Sequence, residues 1–361
     1  MTQRRNDGIE IAAYYFPNWH ADPLNEAVHG KKWTEWELVK CARSRFAGHR
    51  QPKVPVWGYQ DETDPNVMAV KIEAARRHGV DAFLFDWYYS EEGPFRERAL
   101  REGFLRAPNL GDFRFAVLWC NHARQSLHPA PYVMNEFNVT TFSPAEVTPA
   151  TFERMTAHIL EAYFPHPNYW KIDGKPWFGV FNLGNLIRGF GGVRECALGL
   201  ERFRARTKAA GFPGIHFFCN FNGLREVVDR LEGRKPIEVG NPLQNDYGMT
   251  RQELVDALDI DSCGPYGWWE HSFFSGFPYL DKAAILRNNV NYWKNHADEY
   301  GIDYLPTVMT GWDPSPRTVQ SDMYEPRGYP WTGIYSLTQR ELAAAFDKAK
   351  EFLLALPENR R

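Results

Sequence analysis

The sequence predicts an α/β fold built as a (β/α)8 TIM-type barrel, and three observations carry that prediction. Apolar runs of strand length alternate with stretches whose apolar residues recur at helical spacing, the pattern of βα units joined by right-handed crossovers. Aromatic and polar residues follow nearly every strand-length run, as they do where a barrel builds its site at the C-terminal ends of its strands. Neither G-x-G-x-x-G nor G-x-x-x-x-G-K-[ST] occurs, and an open doubly wound sheet would gather its site residues at one switch point instead.

Taken in order, residues 9–16 read as the first strand, stopped by Pro17, which cannot continue a central ladder. The connection that follows, at about 17–64, is far longer than an ordinary βα loop. Loops of that length inside a compact domain are usually functional, and this one carries Trp33-Thr34-Glu35-Trp36-Glu37, expected to fold over the strand ends. Asp64-Pro65 supplies an N-cap and a first-position proline to a helix in which Met68, Ile72 and Ala75 recur until Gly79. Residues 79–89 form a second strand, apolar enough to be buried on both faces, that ends in Asp86-Trp87-Tyr88-Tyr89.

Residues 94–106 read as a helix and 113–119 as a third strand, followed by Cys120-Asn121-His122. A helix at 149–164 and an Asp-Gly turn in 172–176 lead to a fourth strand at 177–181. A helix at 193–210, capped by Gly211, precedes a fifth strand at 215–220 that ends near Asn220 and Asn222. Pro236 and Gly240 hem in residues 236–239, which read as a loop, so the sixth strand falls at 259–266; the rival reading makes 236–239 a strand and closes the barrel with eight. A helix at 280–300, a seventh strand at 304–309, a polar and aromatic loop at 310–317 and a last helix at 338–356 complete the order. Seven strands are counted, and the expectation is a barrel lacking its eighth strand in this chain, with a gap that favours self-association.

Composition narrows the function. The 361 residues, 43% hydrophobic, can bury one core of barrel size, and no Ser/Gly linker divides them, so residues 1–361 read as a single domain. No apolar run is long enough to cross a bilayer, and the polar start, without an apolar signal region, gives a cytoplasmic expectation. A net charge of −3 without a basic block speaks against nucleic-acid partners and for neutral substrates. The five cysteines (Cys41, Cys120, Cys196, Cys219, Cys263) include no C-x-x-C pair and read as reduced thiols. The histidines include no H-x-H or H-E-x-x-H, so neither a metal nor another cofactor is expected.

The 13 Trp, 17 Tyr and 25 Phe are first of all core material, but many cluster just after apolar runs, where a barrel turns them towards ligand. Rings beside carboxylates suit a saccharide, whose CH faces pack on aromatics while its hydroxyls take polar partners. The carboxylates at expected pocket edges are Glu35, Asp86, Glu270 and Asp313, the candidates for catalysis; each has a plainer alternative as a strand-end or turn residue bonding nearby amides. The candidate substrate-binding residues are Tyr14, Trp36, Trp87, Tyr88 and Trp119, with Asn121 and Asn220 as polar partners, and, further along, Tyr266, Trp268, Trp269, Trp312 and Arg317. Arg317 is expected to pair with Asp313 and shape the pocket, leaving Trp312 to stack on a sugar. His49 is expected to fix its loop; His122 and His271 read as wall residues.

These stretches together resemble the glycoside hydrolase family 99-like proteins, in particular their WbsX-type branch, whose members are often described as glycosyltransferases. The resemblance rests on Tyr14-Tyr15-Phe16-Pro17 with Trp33-Thr34-Glu35-Trp36, on Gly48-His49-Arg50-Gln51-Pro52, on residues 79–89, on Gly174-Lys175-Pro176, and on Gly311-Trp312-Asp313 with Pro316-Arg317. It implies a (β/α)8 barrel acting on complex carbohydrate, with hydrolase relatives cleaving internal α-mannosidic linkages through carboxylates at the last strand. The sequence departs from that pattern twice. His122 follows Asn121 where the family usually has a glutamate, and no Asn-Glu-Trp-x-Glu-Gly segment occurs. Three readings follow: a glycoside hydrolase acting on an oligo- or polysaccharide, a glycosyltransferase of surface-polysaccharide biosynthesis, and a carbohydrate-binding barrel without turnover. Asp259-Ile260-Asp261 fits the letters of a transferase's metal-binding Asp-x-Asp but falls in a predicted strand.

Overall fold

The computed structural model describes residues 8–125, 128–133, 140–268 and 276–357. Seven strands form one curled parallel sheet: β1 (Ala12–Tyr15), β2 (Ala82–Ser90), β3 (Arg114–Trp119), β4 (Lys175–Val180), β5 (His216–Asn220), β6 (Ser262–Gly264) and β7 (Asp303–Tyr304). Each pairs with the next in sequence order. Strands β1 and β7 lie at the two ends of that order, so the described residues form a curled sheet of seven strands and not a closed barrel of eight. Residues 236–239 contain no strand, in keeping with their reading as a loop. The segments expected at 259–266 and 304–309 give strands of only three and two residues, Ser262–Gly264 and Asp303–Tyr304.

The long first connection holds α1 (Pro23–His29) and α2 (Trp36–Cys41). Helix α3 (Pro65–Arg77) starts where expected, with the Asp64 side chain accepting from the Asn66 amide and proline in its first turn. Residues 94–106 differ from expectation. Gly93–Phe95 folds back as a strand on Tyr88–Ser90, and Arg96 has a φ of 57°, so helical structure starts only with a π-helical turn at Ala99–Gly103 and a 3-10 turn at Phe104–Arg106. Helices α4 (Pro149–Ala162), α5 (Leu183–Phe190), α6 (Val193–Ala209), α7 (Phe221–Leu231) and α8 (Arg251–Leu258) then alternate with β4, β5 and β6, and α9 (Lys282–His296) and α10 (Gln339–Ala355) follow. Among the described residues no helix is long and apolar enough to cross a membrane.

The core lies between the sheet and its helices. Met68 and Ile72 of α3 are wholly buried in one cluster with Phe83, Phe104, Phe113 and Phe115. Phe83 meets Phe113 with ring centres 4.8 Å apart and Phe104 meets Phe115 at 5.6 Å, edge-on contacts that add to the hydrophobic gain of burial. At the strand starts, two aspartates clip neighbouring strands together. Asp81 accepts from the Ile11 amide at 2.8 Å, and Asp261 accepts from the Phe217 amide at 2.7 Å and from Lys175 at 2.9 Å. A two-residue antiparallel pair, Gly311–Trp312 with Tyr335–Ser336, carries Trp312 back over the far rim.

Candidate active site

Strand parity selects the residues that reach the site. Side chains alternate between the two faces of a strand, so in β2 Asp86 and Tyr88 face the inside while Phe85 and Trp87 face the helices. Trp87 is 2% exposed and donates to Glu97 at 3.2 Å; Glu97 also receives His158 and Tyr163, which binds Trp87 into the outer layer under α4. Trp119 sits opposite Trp87 in the ladder and shares its fate, its indole donating to the Tyr89 carbonyl at 3.2 Å.

A cavity of about 2580 Å³ opens at the C-terminal ends of the strands and runs down the open side of the sheet, where its lining includes Leu305 and Val308 and, from α10, Phe346 and Leu353. Of the predicted site residues it brings together Tyr14, Glu35, Asp86, Tyr88, Asn121, Tyr266, Trp312 and Arg317. Trp87, Trp119, Trp36, Asn220, Trp268 and Asp313 are not in its lining. Trp36 stands behind Trp19, their ring centres 3.9 Å apart, and only Trp19 reaches the cavity. Asn220 is the N-cap of α7, accepting from the Asn222 and Gly223 amides. Trp268 is wholly buried, with its indole on the Thr307 carbonyl. Trp269 and Glu270, as well as His271, lie outside the described residues.

Asp313 corrects a second expectation, since it does not pair with Arg317. It accepts from Lys53 and Gln51 at 2.8 Å each and from the Ser315 hydroxyl at 2.6 Å, with His49 3.5 Å away, so it locks the Gly48–Pro52 turn against the 313–317 loop. Arg317 is engaged by Glu35 instead. Its Nε donates to one carboxylate oxygen of Glu35, and its Nη1 donates to the Tyr329 hydroxyl at 2.6 Å. The other oxygen of Glu35 accepts from Asn18 at 2.6 Å.

The two cavity carboxylates stand in opposite electrostatic settings. Burial alone disfavours charge on Glu35, but the Arg317 guanidinium and the bonds from Arg317 and Asn18 outweigh it, holding the carboxyl below its ordinary range. Asp86, 2% exposed, has no ion-pair partner of that kind among the described residues. Burial pushes it up to about 7, against the opposing effect of hydrogen bonds from Tyr266 (2.7 Å) and the Cys120 thiol, and its Oδ1 is buried with no hydrogen-bond partner among the described residues.

Asn121 has its amide bonded to the Asn182 carbonyl at 2.7 Å and its oxygen accepting from the Asn182 amide at 2.8 Å, so it stiffens the wall between β3 and α5. Tyr14 packs on Tyr266 at 4.7 Å, and Trp312 donates to the Thr332 hydroxyl at 2.9 Å. The cavity also contains residues that sequence reasoning missed: Asn18, Trp19, Arg96, Cys120, His128 and Tyr329. Burial lowers His128 to about 4, which makes it a neutral ring, 3.3 Å from the Tyr329 hydroxyl. The φ of 57° at Arg96 costs on the order of 1–3 kcal/mol in an L-residue and is held by its amide's bond to Asp22 at 3.0 Å. Asp259 caps α8 in the left-handed region and Asp261 is held at the strand starts, so this Asp-x-Asp lies at the end of the sheet opposite the Asp86 site.

Comparison with known proteins adds a family to this geometry. The sequence profile described as Glycosyltransferase WbsX matches residues 11–325. Uncharacterized protein WxcX of Xanthomonas campestris pv. campestris is 38% identical over 80 residues, a stretch that is 22% of this chain and only 12% of that protein's length. Among solved structures, the GH99 endo-alpha-mannosidase from Bacteroides thetaiotaomicron, in complex with bis-tris propane, superposes with a TM-score of 0.52 at 14% identity, covering 95% of this chain and 80% of that one. A glycoside hydrolase-like protein gives a TM-score of 0.54 at 14% identity, covering 98% and 82%. At such identities the likeness is one of fold.

Proposed function

We propose, since the chain belongs to the Glycosyltransferase WbsX family, that it is a carbohydrate-active enzyme of the hydrolase type, cleaving internal glycosidic linkages of a complex polysaccharide. The observation that carries this reading is the pair of cavity carboxyl groups driven to opposite protonation states, Asp86 towards the acid and Glu35 towards the anion. Two carboxyl groups separated in this way by their surroundings are the usual means of assigning acid and anion in glycosidic-bond chemistry.

In this reading Asp86 is the general acid. As the bond between the anomeric carbon and the leaving oxygen breaks, the Asp86 proton passes to that oxygen. Ionised Glu35, fixed by Arg317 and Asn18, stabilises the positive charge that develops on the sugar ring. A water oxygen then bonds to the anomeric carbon, and the proton it sheds returns to the Asp86 carboxylate, which restores the starting state. Tyr14, Tyr88 and Trp312 supply ring surface for the sugar faces. The proposed substrates are α-linked, α-mannosidic linkages among them, on the strength of the family resemblance.

Release of reducing ends from a panel of α-linked polysaccharides and surface-antigen glycans tests this reading. The family's description favours a second one, transfer from a nucleotide sugar. Micromolar binding of a nucleotide sugar with Mn²⁺ in calorimetry, without reducing-end release, would replace hydrolysis by transfer.

A further inference from the structure

We propose that the cavity recognises an acidic group on its saccharide, a carboxylate or phosphate oxyanion, through the guanidinium of Arg96. This rests on the carbohydrate reading above and adds the charge class of the substrate. Arg96 lines the cavity, with its guanidinium carbon 5.3 Å from the ring centre of Phe16, 4.9 Å from that of Tyr88 and 4.5 Å from that of Phe95. Three rings hold the plane of the group without neutralising it. Its Nε is buried with no hydrogen-bond partner among the described residues.

The surrounding arginines are matched by carboxylates: Arg317 by Glu35, Arg124 by Glu92, Arg98 by Glu102 and Arg101 by Glu97. Among the described residues no carboxylate stands within ion-pair distance of the Arg96 guanidinium. Of the carboxyl groups in the lining, Glu35 is held by Arg317 and Asp86 tends to the neutral form. The field of Arg96 also reaches Glu35, Asp86, Tyr88, Cys120, His122 and His128, which places it among the groups of the site and not on its outer rim. A planar, weakly hydrated guanidinium is suited to two parallel bonds to a carboxylate or phosphate. The bond from the Arg96 amide to Asp22 holds the backbone from which this side chain rises. A net charge of −3 therefore describes the whole surface and does not predict the sign of this site.

Calorimetry on the full chain tests the assignment with four probes: a glucuronate-containing oligosaccharide, its carboxyl-reduced neutral counterpart, glucose 1-phosphate and free glucose. The wild type is expected to bind one acidic probe roughly ten- to a hundredfold tighter than its neutral counterpart. The uronate arm and the phosphate arm show which oxyanion is read. In Arg96→Gln that preference should fall to within about threefold while affinity for the neutral probe holds, which also reports a folded variant, and Arg96→Lys should recover part of it. Equal affinity of the wild type for acidic and neutral probes, or a preference retained in Arg96→Gln, overturns the inference and leaves the carbohydrate reading in place. Absence of binding to every saccharide overturns both.

Discussion

Asp86 and Trp87 are neighbours in sequence with opposite fates, and each gives a prediction. For Asp86 the sign follows from linkage. Burial raises its carboxyl from an ordinary 3.8 to about 7, so between those values the folded protein holds a proton that the unfolded chain has released. Stability therefore falls as pH rises through that window, by at most about 4 kcal/mol at roughly 1.36 kcal/mol per unit. Asp86→Asn keeps an acceptor for Tyr266 and removes the penalty. Urea titrations should find this variant more stable than wild type at pH 8 and nearly equal to it at pH 4; equal stability at both would mean that Asp86 is not raised. For the tryptophans, Trp312→Ala should weaken saccharide binding by roughly 1–3 kcal/mol, whereas Trp87→Ala should lower the melting temperature and leave affinity unchanged in the folded fraction. Weakened binding from both would put Trp87 back in the site.

At the scale of elements, the apolar runs made the strands legible, because strands buried on both faces announce themselves by composition alone. The shorter helices were harder. Helix α7 starts directly on the last residue of β5, so Asn220 read as a strand-end ligand when its side chain caps the helix. The segment after β2 looked helical until the fold-back at Gly93–Phe95 and the turn at Arg96 interrupted it. Parity within β2 was available in the sequence: if Asp86 and Tyr88 point inward, Trp87 cannot. The pairing of Glu35 with Arg317 was not, since 282 positions separate them and only the tertiary fold brings them together. Element packing gives its own test at Gly264 in β6, where a Cβ would stand 2.5 Å from the Leu305 carbonyl oxygen. Gly264→Ala should push the chain after β7 outward and destabilise the protein by roughly 1–3 kcal/mol in chemical denaturation. A neutral result would show that this edge of the sheet gives way freely.

At the scale of the molecule, the described residues form a curled parallel sheet whose C-terminal rim gathers a protonatable aspartate, an ionised glutamate and a wall of rings around a large cavity. That arrangement comes from three separate stretches of chain: the long first connection brings Glu35, β2 brings Asp86, and the loop after β7 brings Trp312 and Arg317. The proposed reading rests on Asp86 carrying a proton near neutral pH. The most direct test is the pH dependence of reducing-end release from the best polysaccharide of the panel, for the wild type and for Asp86→Asn. Release should be robust below about pH 7, decline as pH rises through that value as Asp86 loses its proton, and drop by a factor of roughly 10²–10⁴ in Asp86→Asn. Absence of release from every glycan, or release by Asp86→Asn at the wild-type rate, would contradict it.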